Sequence, residues 1–548
     1  MSVSTTTSEC GQNSSGQRTV YSLCGMCAVR CPLAVTVKDG AVAWIQGNPN
    51  DPALGASLCA KGGAGQSFQL DDERPHSPLI RTGARGEGQW RRASWDEALT
   101  YIADKVQETI AEFGTRGIAL SDRGGPFTDL TRTFTQALGS PNYVNHDASC
   151  ASNVYNAARS LFGFPHSRLV LDLKRAKHLV LYGRNIAESL MVKEAKSFMA
   201  AVANGLQVTY IDPRATITAS KASRYWQIRP NSDYALNLAL IHEILRLELY
   251  DKEFVARHVT GLEELRAAVA TTTPDWQVEH TGISAAAVRE LVQDIAAAAP
   301  QVIFHPGWMT ARHKQSFYVS RSALILNVLM GNLEVPGGLL LAKTPEQCGR
   351  ASLKRLQDRC EKVSTPRADG AGDVHPSWDP AIGVLHQLYA AMETAQPYGI
   401  GAYFIYRHDP LTAMPDAEAI KRAFDHLKLI VAIDVRYSET AWYADVILPE
   451  STFLERANIL GQVQGAVPSL IMRDQAITPR FDSRPAWWIF REILRRLGRG
   501  AALDFEGIED IWEYQLEGVG VTVAEMRSQG VVTLAEIPPT ARSQIPPT

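Results

Sequence analysis

HLVLYGRN (residues 178–185) and, after an interval long enough for a helix, LQVTYIDPR (residues 206–214) set the fold class of this chain. Each is an apolar run of strand length that stops at a polar turn. The pattern returns at AYFIYRHDP (residues 402–410) followed by LKLIVAIDVR (residues 427–436). Strand, helix and strand in that order read as βαβ units, so the chain is α/β with parallel sheets, in two halves of related, Rossmann-like architecture. Any two βαβ units share part of this pattern. In open α/β sheets ligands bind outside the carboxyl ends of the strands, and that is where both halves place their polar residues.

Working outward, Trp95 to Phe113 has apolar residues at helical spacing behind Ser94, an N-cap, with an acidic first turn. Residues 20–75 are turn-rich and bear cysteines; LAVTVKDGAVAWIQG reads as a hairpin turned at Asp39-Gly40, within a small β-module. The expected domains are a cysteine-bearing module at 17–75, one α/β domain made of 76–140 and 390–500, and a second at 141–342. Residues 343–389 read as a polar surface excursion, and 501–548 as a tail ending in the disorder-prone AEIPPTARSQIPPT.

With 548 residues the chain is long enough for several cores and a large enclosed cofactor. A net charge of −3 gives no reason to expect nucleic acid or a membrane surface. The polar first twenty residues show neither an apolar leader core nor a twin-arginine pair, so a cytoplasmic location is expected, with no membrane insertion. Eight cysteines make no disulfide framework.

Cys24, Cys27, Cys31 and Cys59 form C-x2-C-x3-C-x27-C. Three thiolates on one loop and a fourth from a distant one suit a [4Fe–4S] cluster. Zinc more often takes two C-x2-C pairs, and unliganded core cysteines are the third reading. These residues carry a resemblance: CGMCAVRCPLAVTVKDGAVAWIQGNP with LCAKG resembles the cluster module of the molybdenum or tungsten bis-pterin oxidoreductases, the dimethyl sulfoxide reductase superfamily. RGEGQWRRASWDEAL, LYGRNIAES, YIDPRATITASKA, IRPNSDYALNLAL, NVLMGNLEVPGG and IDVRYSETAWYADVILPESTFLER are similar to family segments in the same order. The branch resembled is that of thiosulfate, polysulfide, tetrathionate and arsenate reductases.

The resemblance implies a metal, molybdenum or tungsten, held by two molybdopterin guanine dinucleotides and one protein ligand, here Cys150 in NHDASCASN. Without the family, a lone Cys150 would read as a small buried hydrophobe. It implies that Lys61 relays electrons between cluster and pterin. No GxGxxG or Walker loop is present, so the dinucleotides fall to strand-end turns. For one cofactor these offer Gly183, Asn185, Asp212 and Arg214, with Arg229 and Asp233 from the RPNSD segment. For the other they offer Tyr406, Asp409, Ser438, Glu439, Thr440 and Asp445. Arg123, His146, Arg312 and His313 are candidates to receive a small inorganic anion or donate a proton.

Two segments depart from the family: Asn231-Ser232 stands for Gly-Thr, and Asp409 for Asn before proline. Relatives usually continue into a further carboxyl-terminal domain, which this reading expects to be absent. The expected activity is two-electron reduction of a sulfur or arsenic oxyanion in anaerobic respiration. Electrons would come from a ferredoxin-like iron–sulfur subunit, with a membrane-anchor subunit as a further candidate partner. The alternatives are formate or nitrate chemistry in the same family, or a cofactor-poor electron-transfer or scaffold subunit.

Overall fold

The computed structural model describes residues 16–125, 127–189, 191–305 and 312–534. The described chain divides into two compact units, one drawn from residues 16–149, 345–463 and 469–534, the other from 150–344 and 464–468.

The first unit opens with a three-stranded antiparallel sheet, Gln17–Leu23, Pro32–Lys38 and Ala41–Gly47. Asp39 and Gly40 both take positive φ, +50° and +77°, the two-residue turn that the hairpin reading requires. Its main sheet has seven strands, in the order Trp90–Arg92, Leu79–Arg81, Val446–Pro449, Leu429–Asp434, Ala402–Tyr406, Ile118–Asp122 and Asn142–Asn145. The last five run parallel. Both faces are covered, so successive residues of one strand go to opposite cores. Phe404 packs with Phe134 and helix Ala486–Arg496, while Tyr403 and Ile405 join Leu388 and Phe424. Helix Trp95–Phe113 closes the first of these cores, and the Ser94 hydroxyl accepts from the Glu97 N–H at 3.1 Å, as the sequence predicts.

The second unit holds a parallel sheet in the order Arg224–Trp226, Gln207–Ile211, His178–Tyr182 and Val302–His305. Helix Ser316–Leu329 is largely buried, and Asn327 is its polar tie to the sheet, bonding the backbone N–H and C=O of Phe304 at 3.0 and 2.8 Å.

Three boundary readings change. Residues 343–389 are more than an excursion: Leu353 and Leu356 are fully buried in the first unit's core, and Arg367 with Asp369 ties the segment to Tyr143. The apolar residues there are too sparse for any periodicity to show. Residues 501–534 are folded too, with helices Ile508–Leu516 and Val523–Gln529 and strand Val531–Thr533 paired to Ser469–Ile471. The cysteine module belongs to the same compact unit as the seven-stranded sheet. The sequence 535–548 lies outside the described residues. Among the described residues no helix is long and apolar enough to cross a membrane.

Candidate functional site

Cys24 directly follows one strand and Cys31 directly precedes its neighbour, and the Cys24 N–H donates to the Cys31 carbonyl at 2.9 Å. That bond closes a loop with Cys27 inside it. Cys59 N-caps the one-turn helix Ala60–Gly63, its sulfur accepting from the Gly62 N–H at 3.4 Å. Burial pushes the Cys24 thiol up to about 11, a backbone bond at Met26 opposes this, and the nearby Cys27 and Cys59 thiols add to the rise. Phe453 lies against the loop and the following helix, where a Cβ on Gly25 or Gly65 would come within 2.8 and 2.7 Å of its ring. Among the described residues no three His, Cys, Asp or Glu side chains could hold a single metal ion. A four-iron cluster places each cysteine on a separate iron, so a nest of neighbouring thiols fits it better than it fits zinc. Lys61 is exposed beside Cys59.

Each parallel sheet has a topological switch point, where successive connections leave in opposite directions and a crevice opens. In the first unit it falls between Ile118–Asp122 and Ala402–Tyr406. Asp122 and Arg123 end one strand there; Arg407, His408 and Asp409 follow the other. Asp122 is buried and accepts from the Gly124 N–H and the Tyr143 hydroxyl at 2.6 and 2.9 Å; burial pushes its carboxyl up. His408 Nδ1 lies 3.0 Å from the Ser121 hydroxyl, which accepts from the Tyr403 hydroxyl at 2.6 Å. Burial, then the His146 ring 5.8 Å away and Arg123, bring its pKa down to about 3, so His408 stays neutral. Its Nε2 is buried without a hydrogen-bond partner among the described residues.

His146 and Arg123 both lie near His408 at this crevice. Arg123 also favours the ionised form of Asp147 against its burial. Cys150 ends the short helix Asp147–Cys150 and is half-buried. It is the first residue of the second unit. Arg312 is exposed, and the 306–311 stretch before it lies outside the described residues. Burial lowers the pKa of His313.

In the second unit the switch point falls between His178–Tyr182 and Val302–His305. Gly183 takes φ +53° as the chain leaves its strand, and Asn185 Oδ1 accepts from the Thr218 hydroxyl at 2.7 Å. Asp212 accepts from the Tyr210 hydroxyl at 2.6 Å and the Arg214 N–H at 2.8 Å, which fixes the turn while leaving carboxylate lone pairs available. Asp233 opens helix Asp233–Arg246; burial and the charge of Asp212 push its carboxyl up to about 6. The Tyr182 hydroxyl is buried with no hydrogen-bond partner among the described residues. Two desolvated carboxylates and an unmatched hydroxyl at strand ends suit the donor edge of guanine and ribose hydroxyls. Arg214 and Arg229 are exposed at the rim. Asn231 takes φ +63°, so asparagine adopts the conformation that glycine adopts with least strain, and the Ser232 hydroxyl donates to the Arg229 carbonyl at 2.6 Å.

The second set of cofactor candidates divides. Asp409 Oδ1 accepts from the Thr440 N–H and hydroxyl at 3.0 and 2.6 Å, and Ser438 N-caps the next turn, with Glu439 exposed in it. Those four share one strand-end edge. Asp445 does not: it stands at the amino ends of the strands, accepts from the Ile430 N–H at 2.7 Å and pairs with Arg81 and Arg85. Tyr406 is also reassigned. It faces the core against Phe127 and Phe490, and its hydroxyl donates to Glu450 at 2.7 Å. Strand alternation sends Tyr406 inward, while the residues after it turn into the crevice. The sequence reading passed over Arg30, Arg407, His408 and Glu450, although YRHDP and CAVRCP display three of them.

A cysteine nest beside an α/β sheet, with strand-end crevices suited to dinucleotides, defines an iron–sulfur oxidoreductase that carries a nucleotide-bearing cofactor. The comparisons make this specific. Residues 17–70 match the molybdopterin oxidoreductase Fe4S4 domain and residues 74–496 the molybdopterin oxidoreductase domain. The chain belongs to the molybdopterin oxidoreductase family, and its cofactors are molybdopterin and a [4Fe–4S] cluster. It is 32% identical to the thiosulfate reductase molybdopterin-containing subunit of Salmonella typhimurium, over 93% of this chain and 68% of that one. It is 26% identical to formate dehydrogenase H of Escherichia coli, covering 90% of this chain and 70% of that protein. The solved acetylene hydratase from Pelobacter acetylenicus shares the fold, with TM-score 0.80 and 24% identity over 94% of this chain and 74% of that one.

Proposed function

We propose that this chain is the catalytic subunit of a reductase for a small inorganic sulfur or arsenic oxyanion. The observation that carries the reading is the 32% identity to a thiosulfate reductase subunit across 93% of the chain, against 26% to formate dehydrogenase H. Cys24, Cys27, Cys31 and Cys59 hold the cluster, and Lys61 stands beside it on the electron path. Cys150 is the protein ligand of the molybdenum or tungsten, and its thiolate is a soft donor suited to that centre. When bound, the pterin-held metal would supply two-electron redox chemistry.

Around that centre the chain's own residues orient the anion and supply protons. Arg123 attracts the anion at the carboxyl end of its strand. His146, next in the crevice, delivers a proton, because cleaving the S–S bond of thiosulfate with two electrons and two protons releases sulfite and hydrogen sulfide. Gly183, Asn185, Asp212, Arg214, Arg229 and Asp233 bind one guanine dinucleotide; Asp409, Ser438, Glu439 and Thr440 bind the other. Electrons arrive from a ferredoxin-like iron–sulfur subunit.

The test is anaerobic purification with iron, molybdenum, tungsten and pterin analysis, followed by a viologen-linked panel of thiosulfate, tetrathionate, polysulfide, arsenate, formate and nitrate. Turnover with a sulfur or arsenic oxyanion is expected. Turnover with formate or nitrate alone would overturn the substrate class. Less than one molybdenum or tungsten per chain beside intact cluster iron would overturn the enzyme reading for this chain.

A further inference from the structure

Four arginines from separate parts of the first unit surround one phenyl ring. The guanidinium carbons of Arg30, Arg407, Arg456 and Arg473 stand 5.8, 4.5, 5.3 and 4.2 Å from the centre of the Phe127 ring. Arg456 and Arg473 are each only 5% exposed. Arg30 and Arg407 sit at φ +56° and +50°, left-handed conformations that cost a non-glycine residue energy, so the fold holds both at local expense.

The countercharge is too small. Glu450 pairs with Arg456 and is the acceptor for Tyr406. Among the described residues Asp434 is the other carboxylate that acts on Arg407, and burial pushes it up to about 6. With both ionised the group keeps two more positive charges than negative ones. Arginine keeps its proton in proteins, so the surplus is not relieved by titration. An aromatic face attracts each cation, but four of them around one ring also repel one another. The donors show the same deficit: Arg30 Nε and Arg407 Nη1 are buried with no hydrogen-bond partner among the described residues. A buried, unpaired charge with an unmet donor is the signature of a missing anion.

We propose that Arg30, Arg407, Arg456 and Arg473 form a binding site for a multiply charged oxyanion, a diphosphate or a sulfur oxyanion, at the switch-point crevice of the seven-stranded sheet. Planar forks match the paired oxygens of either ligand. Arg30 comes from the cysteine loop and Arg407 from the strand end, so the anion bridges the cluster module to the sheet. Two sources offer this chemistry: the diphosphate of a bound pterin dinucleotide and a free inorganic oxyanion.

The test is calorimetric titration of the full-length, cluster-loaded chain with inorganic pyrophosphate and with thiosulfate, in pterin-free and pterin-loaded preparations. The pterin-free chain is expected to bind pyrophosphate. Arg473→Gln should weaken that binding at least about tenfold, and Arg473→Lys, which keeps the charge, by less. Pyrophosphate binding that vanishes on pterin loading identifies the cofactor's diphosphate as occupant. Arg473-dependent thiosulfate binding to the loaded chain identifies the free oxyanion. If Arg473→Gln does not fold, Arg30→Gln, on the loop, decides by the same weakening. No binding of either anion in either preparation, or binding unchanged in the folded variants, would overturn the proposal. The titration needs no turnover, so it fails independently of the substrate reading.

Discussion

Asp233→Asn should make the pterin-free chain more stable while weakening its hold on the cofactor. The Asp233 carboxyl has a pKa of about 6 in the folded chain, raised by burial and then by Asp212. Its unfolded value is about 3.9. The folded state therefore binds the proton more tightly. The stability this group contributes is fully present below pH of about 3.9, is lost as pH rises towards 6, and is flat above. The penalty relative to a neutral isostere is about 1.5 kcal/mol at pH 5 and about 2.8 kcal/mol at pH 7.5, from 1.36 kcal/mol per unit. Urea denaturation of both proteins, pterin-free, at those two pH values reads the difference directly. A gap that does not widen between pH 5 and 7.5, or a wild type more stable than the variant at pH 7.5, would refute the argument. If Asp233 binds one dinucleotide as proposed, the same substitution in the loaded chain should lower guanine dinucleotide retention, because ligand N–H groups would match the desolvated carboxylate there.

Cys150→Ala should leave the iron–sulfur signal in the electron paramagnetic resonance spectrum while abolishing metal-centred turnover; retained turnover would return Cys150 to the role of a packing residue. Glu455→Gln should cost about 3–5 kcal/mol in urea denaturation, because Arg74, paired with both Glu455 oxygens at 3.0 Å and 3% exposed, would be left buried with an uncompensated charge. Asp409→Asn keeps the Oδ1 acceptor used by Thr440 and should retain cofactor, whereas Asp409→Ala should cost about 1 kcal/mol and lose cofactor on gel filtration. Ser94→Ala removes the cap of helix Trp95–Phe113 and should cost about 1 kcal/mol by the same denaturation assay.

Local signals were legible wherever the physics is local. The Asp39-Gly40 turn, the Ser94 cap and the parallel strands at 178–182 and 402–406 are written in short runs of residues, and the structure has them in place. Residues 343–389 were misread because Leu353 and Leu356 reach a core built by distant helices, a contact no local pattern records. The site divides on the same line. Gly183, Asp212 and Asp409 stand at strand ends because a strand ends there. Asp445 looked equivalent in sequence, yet it precedes its strand and so falls at the opposite edge of the sheet. The arginines around Phe127 were invisible as a group, since their meaning is a charge sum over residues 30, 407, 456 and 473 brought together only by folding.

The carbonyl of Gln529 accepts from the side-chain amides of Asn48 and Asn50, both at 2.9 Å, and a Cβ on Gly530 would meet the Tyr21 ring at 2.4 Å. The cysteine module is thus braced by residues 481 positions later in the chain. On a ribosome adding roughly 5–20 residues per second, the four cysteines emerge tens of seconds before that brace exists. Iron delivered during synthesis would meet a loose nest, and iron delivered after release a finished one. The order of translation therefore leaves the cysteine nest without this brace until the first unit is complete.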